Sequence, residues 1–555
     1  MMSLTAEEKE VGKSNFYAAI GDKLTRRQFL EGSIAAGVVS GAGLGSFYFG
    51  YGKLAGDPVR VGVIGTGDEG SVLLGAHTPD YLNVVAIADI RPYNVHRAFH
   101  GDPKALGPRP GLMSKYGWKS EDEARKHVKV YGQDYHELLD DPAVEAVIVA
   151  LPLHLHDVVA IEAMQKGKHV LTEKLMGYSV GRAKSMARVA NQKKLHLATG
   201  HQRHYSVLYD NAVDMIERGL LGKLHSIRAQ WHRTKDSWYA KLPDEKLVKE
   251  LETWKKKLAD AIAAKDNARV EAVTANLRDA EYRLLDKGKV DAAKYGYQEK
   301  TLTQGSNRYT CSPLEELIRW RLWQRTGGGL MAELGSHQLD AAGIFCSAVR
   351  EDGKKARPLT VSGVGGRLLY PLDRECDDHV YCTFEYEGPG YDEDPNKKIV
   401  VTYSSINGNG FGDYGEVVMG DEGTLVLENE KEVMLYPNSG AKTNVKVAKG
   451  KGGPVLNASE SGAAPAAAVG KKALEAGPVS RGYTEEMEHF AWCIRNFDFE
   501  HNKPKCHPQV ALADAVIALT TNIAMQRREQ ITFKPEWFDI DSDETPEGEK
   551  PETSV

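Results

Sequence analysis

The sequence predicts a two-domain α/β protein. Its N-terminal domain is built on a doubly wound parallel sheet, and its C-terminal α+β domain has an open, mostly antiparallel sheet with an inserted αα-hairpin. Three observations predict this architecture. Apolar runs typical of buried parallel strands alternate with helical patterns up to about residue 200. From Leu224 onward, short alternating runs follow one another as hairpin-linked strands do. Residues 243–286 interrupt that order with two helical patterns joined by a polar turn.

The composition is that of a globular protein and narrows the classes of partner. The chain has 555 residues, which at roughly 100–200 residues per domain suggests two to four domains. Its 71 basic and 77 acidic side chains give a net charge of −6, which argues against nucleic acid as the main partner. The six cysteines lack a C-x-x-C spacing and no H-E-x-x-H motif occurs, so we predict no metal site. One or two disulfides remain open.

The N-terminal segment resembles a twin-arginine export signal. Residues 25–30 read Thr-Arg-Arg-Gln-Phe-Leu, and a weakly apolar stretch rich in Gly and Ala follows from Ser33 to about Gly50. The alternative is an amphipathic helix that contains an arginine pair by chance. We expect residues 1–56 to lie outside the fold, as a cleaved signal or an uncleaved membrane anchor. The protein is then carried by the twin-arginine export machinery and is periplasmic or otherwise exported.

A nucleotide-binding motif opens the first domain. The apolar strand 59–64 runs into Gly65-Thr66-Gly67-Asp68-Glu69-Gly70 and a helix, and a second strand ends in Asp89, 19 residues beyond the last glycine. Such glycines permit a tight turn, close approach of a pyrophosphate and close helix packing, and the acid accepts hydrogen bonds from the ribose. We therefore predict a Rossmann dinucleotide-binding domain over residues 58–200. NAD is favoured, but Arg91 and Arg97 could accept a 2′-phosphate, so NADP stays open.

Polar groups follow two further predicted strands, and we expect these groups to lie at the same cleft. Ligands bind at the carboxyl ends of the strands in an open α/β sheet. The strand over residues 145–151 ends in Leu151-Pro152-Leu153-His154-Leu155-His156, and the next strand ends in Thr172-Glu173-Lys174. We expect these cofactor contacts from the two segments: Leu151, Pro152, His154, His156, Glu173 and Lys174. The two histidines are equally compatible with a core or helix-cap role.

In order and spacing, five motifs resemble the glucose–fructose oxidoreductase / inositol dehydrogenase / MocA (Gfo/Idh/MocA) family. The motifs are residues 65–70, 151–156, 167–174, 200–205 and 327–340, within a resemblance covering about 58–235 and 315–535. The resemblance implies hydride transfer between a nicotinamide and a hydroxyl-bearing carbon of a sugar, and a homo-oligomer. There are two departures: Leu175 replaces the usual proline of a Glu-Lys-Pro motif, and Glu333 replaces the usual aspartate.

The resemblance also implies a set of catalytic residues. Alcohol oxidation needs a base for the O–H proton, and we choose His337 because imidazole titrates in the right range. Lys174 can donate to the same oxygen, and Glu333 precedes His337 by four residues, so on a helix the two share a face. Arg203 and Tyr205 are candidates for the far side of the sugar. A buried core role for His337 is the competing interpretation.

The second domain is predicted over residues 201–535, and it carries substrate and oligomer contacts. The inserted hairpin at 243–286 lies over the cleft entrance or serves in subunit packing. Residues 440–482 lack periodicity, as an exposed loop would, and the acidic tail 541–555 is expected to be disordered.

These expectations combine into one function. We predict an exported nicotinamide-dependent oxidoreductase that acts on a secondary hydroxyl of a sugar or glycoside and holds its cofactor tightly. The first alternative is a glycosidase or epimerase that uses transient oxidation and returns the cofactor to its starting state. A non-enzymatic nucleotide-binding relic is the third.

Overall fold

The N-terminal domain is a six-stranded parallel sheet in the order β3-β2-β1-β4-β5-β6. The computed structural model describes residues 4–26, 48–437 apart from 103, 104, 106, 108, 236 and 237, the short strands 448–450 and 453–455, and residues 481–552. The sheet strands are β1 (Val59–Ile64), β2 (Leu82–Ala88), β3 (Lys129–Val130), β4 (Ala146–Val149), β5 (His169–Thr172) and β6 (Leu197–Thr199). The strand order reverses between β1 and β4, as in doubly wound dinucleotide-binding folds, and this confirms the predicted fold class.

Helices cover both faces of this sheet. After a separate N-terminal helix α1 (Ala6–Arg26), they are α2 (Asp68–Ala76), α3 (Pro92–His100), α4 (Gly111–Tyr116), α5 (Glu121–Ala124), α6 (Tyr135–Asp140), α7 (His156–Gln165) and α8 (Val180–Lys193). The central strands β1 and β4 are buried along their length, because helices shield both faces of the sheet.

The C-terminal domain is an eight-stranded sheet in the order β15-β14-β13-β7-β12-β11-β10-β18. Only β7 and β12 pair in parallel; the other neighbours are antiparallel. The strands are β7 (Leu224–Thr234), β10 (Pro358–Gly366), β11 (His379–Glu387), β12 (Lys398–Gly408), β13 (Tyr414–Gly420), β14 (Gly423–Glu428), β15 (Glu432–Pro437) and β18 (Ile531–Thr532). Two separate hairpins are formed by β8 (Lys300–Gln304) with β9 (Asn307–Cys311), and by β16 (Ala448–Gly450) with β17 (Gly453–Val455).

The remaining helices pack on the inner face of this sheet or join the two domains. They are α9 (Val207–Glu217), α10 (Leu247–Ala263), α11 (Asn267–Lys289), α12 (Pro313–Ile318), α13 (Gln324–Gly327), α14 (Ser336–Ser347), α15 (Tyr483–Arg495) and α16 (Pro508–Arg527). In the described part of the chain, α16 alone is long and apolar enough to cross a membrane, and 72% of its most apolar window is buried inside the protein. It packs on β10, α8 and α14 as a core helix.

The inserted hairpin is present and contacts the N-terminal domain. Helices α10 and α11 form the predicted antiparallel pair, joined around a small apolar seam of Leu247, Leu251, Leu277 and Ala280. Helix α11 packs against α3, which is the helix that follows β2. The insertion therefore lies over the adenosine end of the predicted cofactor cleft.

The N-terminal segment is not wholly outside the fold. Helix α1 packs on β15, with Phe16 and Ile20 buried, and its lysines pair with acids of the sheet: Lys9 with Glu428 at 2.5 Å, Lys13 with Glu432 at 2.8 Å. This corrects the expectation that residues 1–56 are excluded from the fold. Arg27 and most of the apolar stretch that follows lie outside the described residues, as does most of the predicted loop 440–482.

The acidic tail is also ordered where it is described, which corrects the prediction of disorder from residue 541. Basic side chains of α8 hold it. The ammonium of Lys184 donates to the carbonyls of Ser542 and Glu544 at 2.9 and 2.7 Å, and Arg182 pairs with Glu549 at 2.9 Å. Tail carbonyls and carboxylates thus satisfy cations that would otherwise be partly buried without partners.

Candidate active site

The glycine-rich loop is shaped for a pyrophosphate. Gly65 has φ +88°, and a Cβ there would lie 2.3 Å from the carbonyl oxygen of Ala150. A Cβ on Gly70 would lie 2.1 Å from the carbonyl oxygen of Gly65, so this glycine allows α2 to approach the loop. A Cβ on Gly67 would meet only one side-chain atom, at 3.7 Å, so that side of the loop is open. With the N-terminus of α2 beside it, the loop fits a dinucleotide phosphate.

Asp89 joins the end of β2 to this loop. Its carboxylate accepts the backbone N–H of Thr66 at 2.8 Å, the N–H of Arg91 at 2.8 Å and the amide of Asn94 at 3.0 Å. Asp89 is partly exposed; its Oδ2 also accepts the Thr66 hydroxyl at 3.3 Å, whereas Oδ1 accepts the Arg91 N–H, so Oδ1 keeps capacity for a ribose hydroxyl.

Both arginines that could accept a 2′-phosphate are paired. Arg91 Nε donates to Asp286 of the inserted hairpin at 2.9 Å. Arg97 donates to Asp68 at 2.8 Å and to Asp102 at 3.1 Å. Arg97 holds the pKa of Asp68 at about 2 against the opposing effect of burial. Asp68 therefore stays ionised and holds Arg97 beside the loop.

His156 holds the two cleft loops together and does not face the cofactor. Its ring nitrogens lie 2.7 Å from the carbonyl oxygens of Leu175 and Leu151, and the side chain is buried. Its assignment as a cofactor contact stays a prediction that these hydrogen bonds do not support. His154 lies with Leu151 and Pro152 at the end of β4, its ring 5.5 Å from that of Tyr297, and burial lowers its pKa to about 3.

Lys174 reaches across to the C-terminal domain. Its ammonium donates to the carbonyl of Glu333 at 2.6 Å and lies 3.7 Å from the Glu333 carboxylate. The Lys174–Leu175 peptide is cis, and Leu175, the residue in the usual place of proline, is buried. The end of β5 and the segment 331–337, which are far apart in sequence, therefore meet at one point.

Glu333 lies on a π-helical turn, Met331–Gly335, which leads directly into α14. Such turns are frequent at functional sites. Its carboxylate accepts Arg321 Nε at 2.6 Å. Burial alone would raise the pKa of Glu333, but Arg321, and after it Lys174 and Arg233, hold it at about 2. Glu333 is therefore an anion between cations and not a proton donor at neutral pH.

His337 is in the first turn of α14, close to Lys174. Its ring lies 5.6 Å from that of Trp231 and 6.3 Å from that of His201. Burial, followed by the charges of Lys174 and Arg203, lowers its pKa well below 6.5. Among the described residues Nδ1 has no hydrogen-bond partner. The imidazole is therefore neutral and can accept a proton.

Burial raises the pKa of further carboxyl groups at this end of the cleft. Burial, followed by the charge of Glu69, raises the pKa of Glu173 to about 8. Burial also raises the pKa of Glu69, and it raises that of Glu486 well above its usual value. Within the described chain, neither carboxyl oxygen of Glu486 has a hydrogen-bond partner.

Arg203 and Tyr205 are placed differently from the prediction. Arg203 is buried, donates to Glu430 at 2.8 Å and lies 3.3 Å from Glu416. Tyr205 is buried, with its hydroxyl 2.8 Å from His489 Nδ1. Both side chains are bonded to protein partners in this structure, Arg203 also to the carbonyl of His337. Their assignment to the far side of a sugar stays a prediction.

A buried charge network lies behind His337. Lys355 bridges Asp340 at 2.7 Å and Asp514 at 2.5 Å. The same two aspartates lie 3.8 Å from the nitrogens of His201. His201, Asp340 and Asp514 are spaced closely enough for a metal ion, but the ammonium of Lys355 already pairs with both carboxylates.

Several residues at the site were missed by sequence reasoning. Arg321 pairs with Glu333, and Trp231 lies against His337, while Arg233 stacks over Trp231 at 5.5 Å. Arg321 lies a few residues before the glycine run 327–329, and Arg233 and Trp231 end the predicted strand β7. Their nearness to a recognised motif and to a strand's carboxyl end was the available signal.

Comparisons with known proteins agree with this fold. Residues 59–201 match the model of an oxidoreductase family with a NAD-binding Rossmann fold, GFO_IDH_MocA. A glycosyl hydrolase family 109 protein of Stenotrophomonas maltophilia is 30% identical over 184 residues, 31% of this chain and 36% of that protein. A scyllo-inositol 2-dehydrogenase (NAD(+)) of Bacillus subtilis is 27% identical over 106 residues, 19% of this chain and 31% of that protein. In both cases the chain spans only about a third of the relative's length.

A solved structure covers more of the chain. The complex of levoglucosan dehydrogenase with NADH and levoglucosan superposes with a TM-score of 0.51 at 16% identity, covering 86% of this chain and 99% of that one. This likeness extends the shared fold beyond residues 59–201 into the C-terminal domain.

Proposed function

We propose that this chain is a nicotinamide-dependent oxidoreductase of the Gfo/Idh/MocA family, because residues 59–201 match that family's NAD-binding Rossmann domain. It moves a hydride to or from a secondary hydroxyl carbon of a sugar or glycoside. The observation that carries the proposal is the meeting of Lys174, from the end of β5, with the π-helical turn before His337. A cation and a neutral imidazole then face one cleft.

Each residue of this chain has a defined part in the reaction. When bound, NAD supplies the hydride acceptor. The neutral imidazole of His337 takes the proton of the substrate hydroxyl at Nε2, because Nδ1 is buried. The ammonium of Lys174 donates to the substrate oxygen as negative charge develops on it. Glu333 keeps Lys174 and Arg321 in place as an anion. In the reverse direction His337 returns the proton.

A redox-neutral reaction is the second candidate. The similarity to a glycosyl hydrolase family 109 protein favours it. Oxidation of a ring hydroxyl would acidify the neighbouring C–H, so a base could remove that proton while the aglycone leaves as an alcohol. Water would then add to the resulting unsaturated ketone, and return of the hydride would restore both the hydroxyl and the oxidised cofactor. The same Lys174 and His337 would serve the first step. Tight retention of NAD, which we also propose, would suit a redox exchange between two sugars and this cleavage alike, because an enzyme that recycles its cofactor has no need to release it.

Export remains part of the proposal. The twin-arginine pattern at residues 25–30 supports transport to the periplasm. The contacts of α1 with β15 support retention of the segment as a tether, since cleavage after it would remove buried Phe16 and Ile20. Mass spectrometry of the N-terminus after membrane fractionation tests whether the segment is retained.

We also propose a homo-oligomer. Large apolar side chains are exposed on and beside the outer face of the sheet, among them Val364 and Leu368, and they support this proposal.

The proposed function is tested by nucleotide content and product analysis. Purified full-length protein is denatured and the released nucleotide is quantified. The protein is then incubated with a panel of sugars and glycosides, with and without added NAD, while absorbance of the reduced nicotinamide and released aglycone are followed. We expect bound NAD and substrate-dependent reduction. Aglycone release with no net reduction would select the second candidate, and no nucleotide binding at all would contradict both.

A further inference from the structure

The inserted hairpin brings a second carboxylate beside Asp89. Asp286, in the last turns of α11, is fully buried; burial raises the pKa of its carboxyl, and the neighbouring Arg91 opposes that shift. Its Oδ2 accepts Arg91 Nε at 2.9 Å, and its Oδ1 accepts the backbone N–H of Tyr93 at 3.1 Å. Arg91 and Tyr93 flank the start of α3, immediately after the ribose-binding position. The insertion therefore reaches the point where Rossmann domains distinguish NAD from NADP.

Neighbouring contacts fix Asp286 in this position. The hydroxyl of Tyr93 donates to Asp279 at 2.8 Å, and the ring of His96 stacks on Tyr282 at 4.1 Å. Arg283 bridges Asp279 of its own helix and Glu250 of α10, at 3.1 and 2.9 Å. Helix α11 thus presses one face against α3 over two turns. Asp286 cannot swing away from Arg91 without separating these two helices.

The chain after the hairpin closes the same end of the cleft. Ile90, next to Asp89, and Val290 both pack against the buried cluster of Ala292, Tyr297 and Leu317. Tyr297 is buried and its ring contacts His154 from the end of β4. The loops after β2 and β4 are the two that flank the adenosine in a Rossmann domain. Residues 286–297 therefore form an added wall on this side.

We propose that the insertion sets nucleotide specificity: Asp286 neutralises Arg91 and, together with Asp89, excludes a 2′-phosphate, so the site takes NAD and rejects NADP. A phosphate at this position carries up to two negative charges and would meet the carboxylate of Asp89, while the guanidinium groups of Arg91 and Arg97 are already paired with carboxylates. A ribose hydroxyl meets no such repulsion. The inference rests on the proposed function, since it presumes that the Rossmann domain binds a dinucleotide.

The test compares NADH and NADPH binding to full-length protein by fluorescence titration. Asp286→Asn keeps the shape and removes the charge, so Arg91 becomes available to a phosphate. We expect NADPH affinity to rise about tenfold or more, with NADH affinity changed less than about threefold. The matched control is Asp279→Asn, on the same helix and bonded to Tyr93 but not to Arg91, and it should leave the ratio of the two affinities unchanged.

A second variant keeps the test decisive if Asp286→Asn folds poorly. Arg91→Ala in the wild-type background should leave the ratio of NADH to NADPH affinity unchanged, because Asp286 already neutralises Arg91. In the Asp286→Asn background, Arg91→Ala should abolish the gain in NADPH affinity. A wild type that binds NADPH as tightly as NADH, an unchanged ratio in a folded Asp286→Asn, or a loss of NADPH binding in Arg91→Ala would overturn the inference. Those results leave the proposed function intact, whereas failure to bind either nucleotide would overturn both.

Discussion

The two ends of the proposed cofactor cleft are built in different ways. At the nicotinamide end, Lys174, Glu333 and His337 come from motifs that begin or end strands and helices, and Lys174 donates to the carbonyl of Glu333 at 2.6 Å. At the adenosine end, Asp89 belongs to a motif, but the groups around it, Asp286 and Tyr297, come from the inserted hairpin and the chain that follows it, about 200 residues later. We infer that the motifs determine the chemistry, whereas the insertion determines which nucleotide enters and how tightly it is held.

The largest effect is expected at Lys174. Lys174→Ala removes the donor to the substrate oxygen, and we expect turnover to fall about 10²- to 10⁴-fold with NADH affinity little changed. Steady-state kinetics and NADH titration check this. Lys166→Ala, a surface lysine at the end of α7, is the matched control. If Lys174→Ala weakened nucleotide binding and left turnover intact, the division of labour between the two ends would be wrong.

Glu333 should show a smaller effect at the same end. Glu333→Gln removes the anion that holds Arg321 and Lys174, so we expect a loss of about 10- to 100-fold in kcat and a lower Tm, because buried arginine loses its partner. Glu333→Asp keeps the charge and should retain more activity. Measurements of kcat and Tm compare the two variants. Equal activity of Glu333→Gln and Glu333→Asp would show that the negative charge at this position is dispensable for turnover.

Substitutions at the adenosine end are expected to change the affinity for NAD and to leave kcat unchanged. Tyr297→Ala opens the wall between the loops after β2 and β4, so we expect NAD affinity to weaken about tenfold, with kcat at saturating NAD unchanged. Tyr297→Phe keeps the ring and should behave as wild type. Circular dichroism confirms folding, since a cavity of this size can cost about 3–5 kcal/mol. A selective loss of kcat would remove the distinction between the two ends.

The smallest effect concerns two neutral histidines. Burial is the leading cause of the lowered pKa of both histidines. The charge of Lys174 contributes to the lowering at His337, whereas His154, with a pKa of about 3, lies beside Tyr297 at the other end of the cleft. In Lys174→Ala, NMR titration should show a raised pKa for His337 and an unchanged one for His154. Equal shifts at both histidines would contradict the assigned causes.

These lowered values also give the sign of the pH dependence of stability. The unfolded chain takes up a proton at each histidine near pH 6.5, while folded His154 does so only near pH 3. The free energy of unfolding therefore falls as the pH drops from 6.5 toward 3, by up to about 1.4 kcal/mol per pH unit for each such histidine. Urea unfolding at a series of pH values measures this slope, and His154→Gln should reduce it by about one proton. A slope that His154→Gln leaves unchanged would show that His154 is not buried in its neutral form.

The sequence could predict what local patterns encode. The strand and glycine turn at residues 59–70, the strand ends at Leu151 and Lys174, and the helical hairpin all have their own periodicity or spacing, and the structure places them as expected. The family match confirms the NAD-binding fold. The roles of the catalytic residues remain predictions, since position alone does not measure chemistry.

What the sequence could not predict depends on contacts between distant segments. The pairs Lys9–Glu428 and Arg91–Asp286 join residues hundreds of positions apart, and nothing in the local composition of either segment indicates them. Arg203 follows a strand end, but whether its side chain turns into the cleft or the core depends on Glu430, near the opposite end of the domain. The order of the acidic tail could not be predicted for the same reason, because its acidic side chains pair with basic side chains of α8, far away in the sequence.

The most direct test is a crystal structure of the full-length protein with NAD and a sugar bound. The account predicts the nicotinamide ring beside Lys174 and His337, with C4 about 3–4 Å from a substrate carbon, and the adenosine ribose at Asp89 under the wall formed by Asp286 and Tyr297. Nucleotide bound outside this cleft, or an adenosine end so filled by the insertion that only part of the molecule enters, would contradict it.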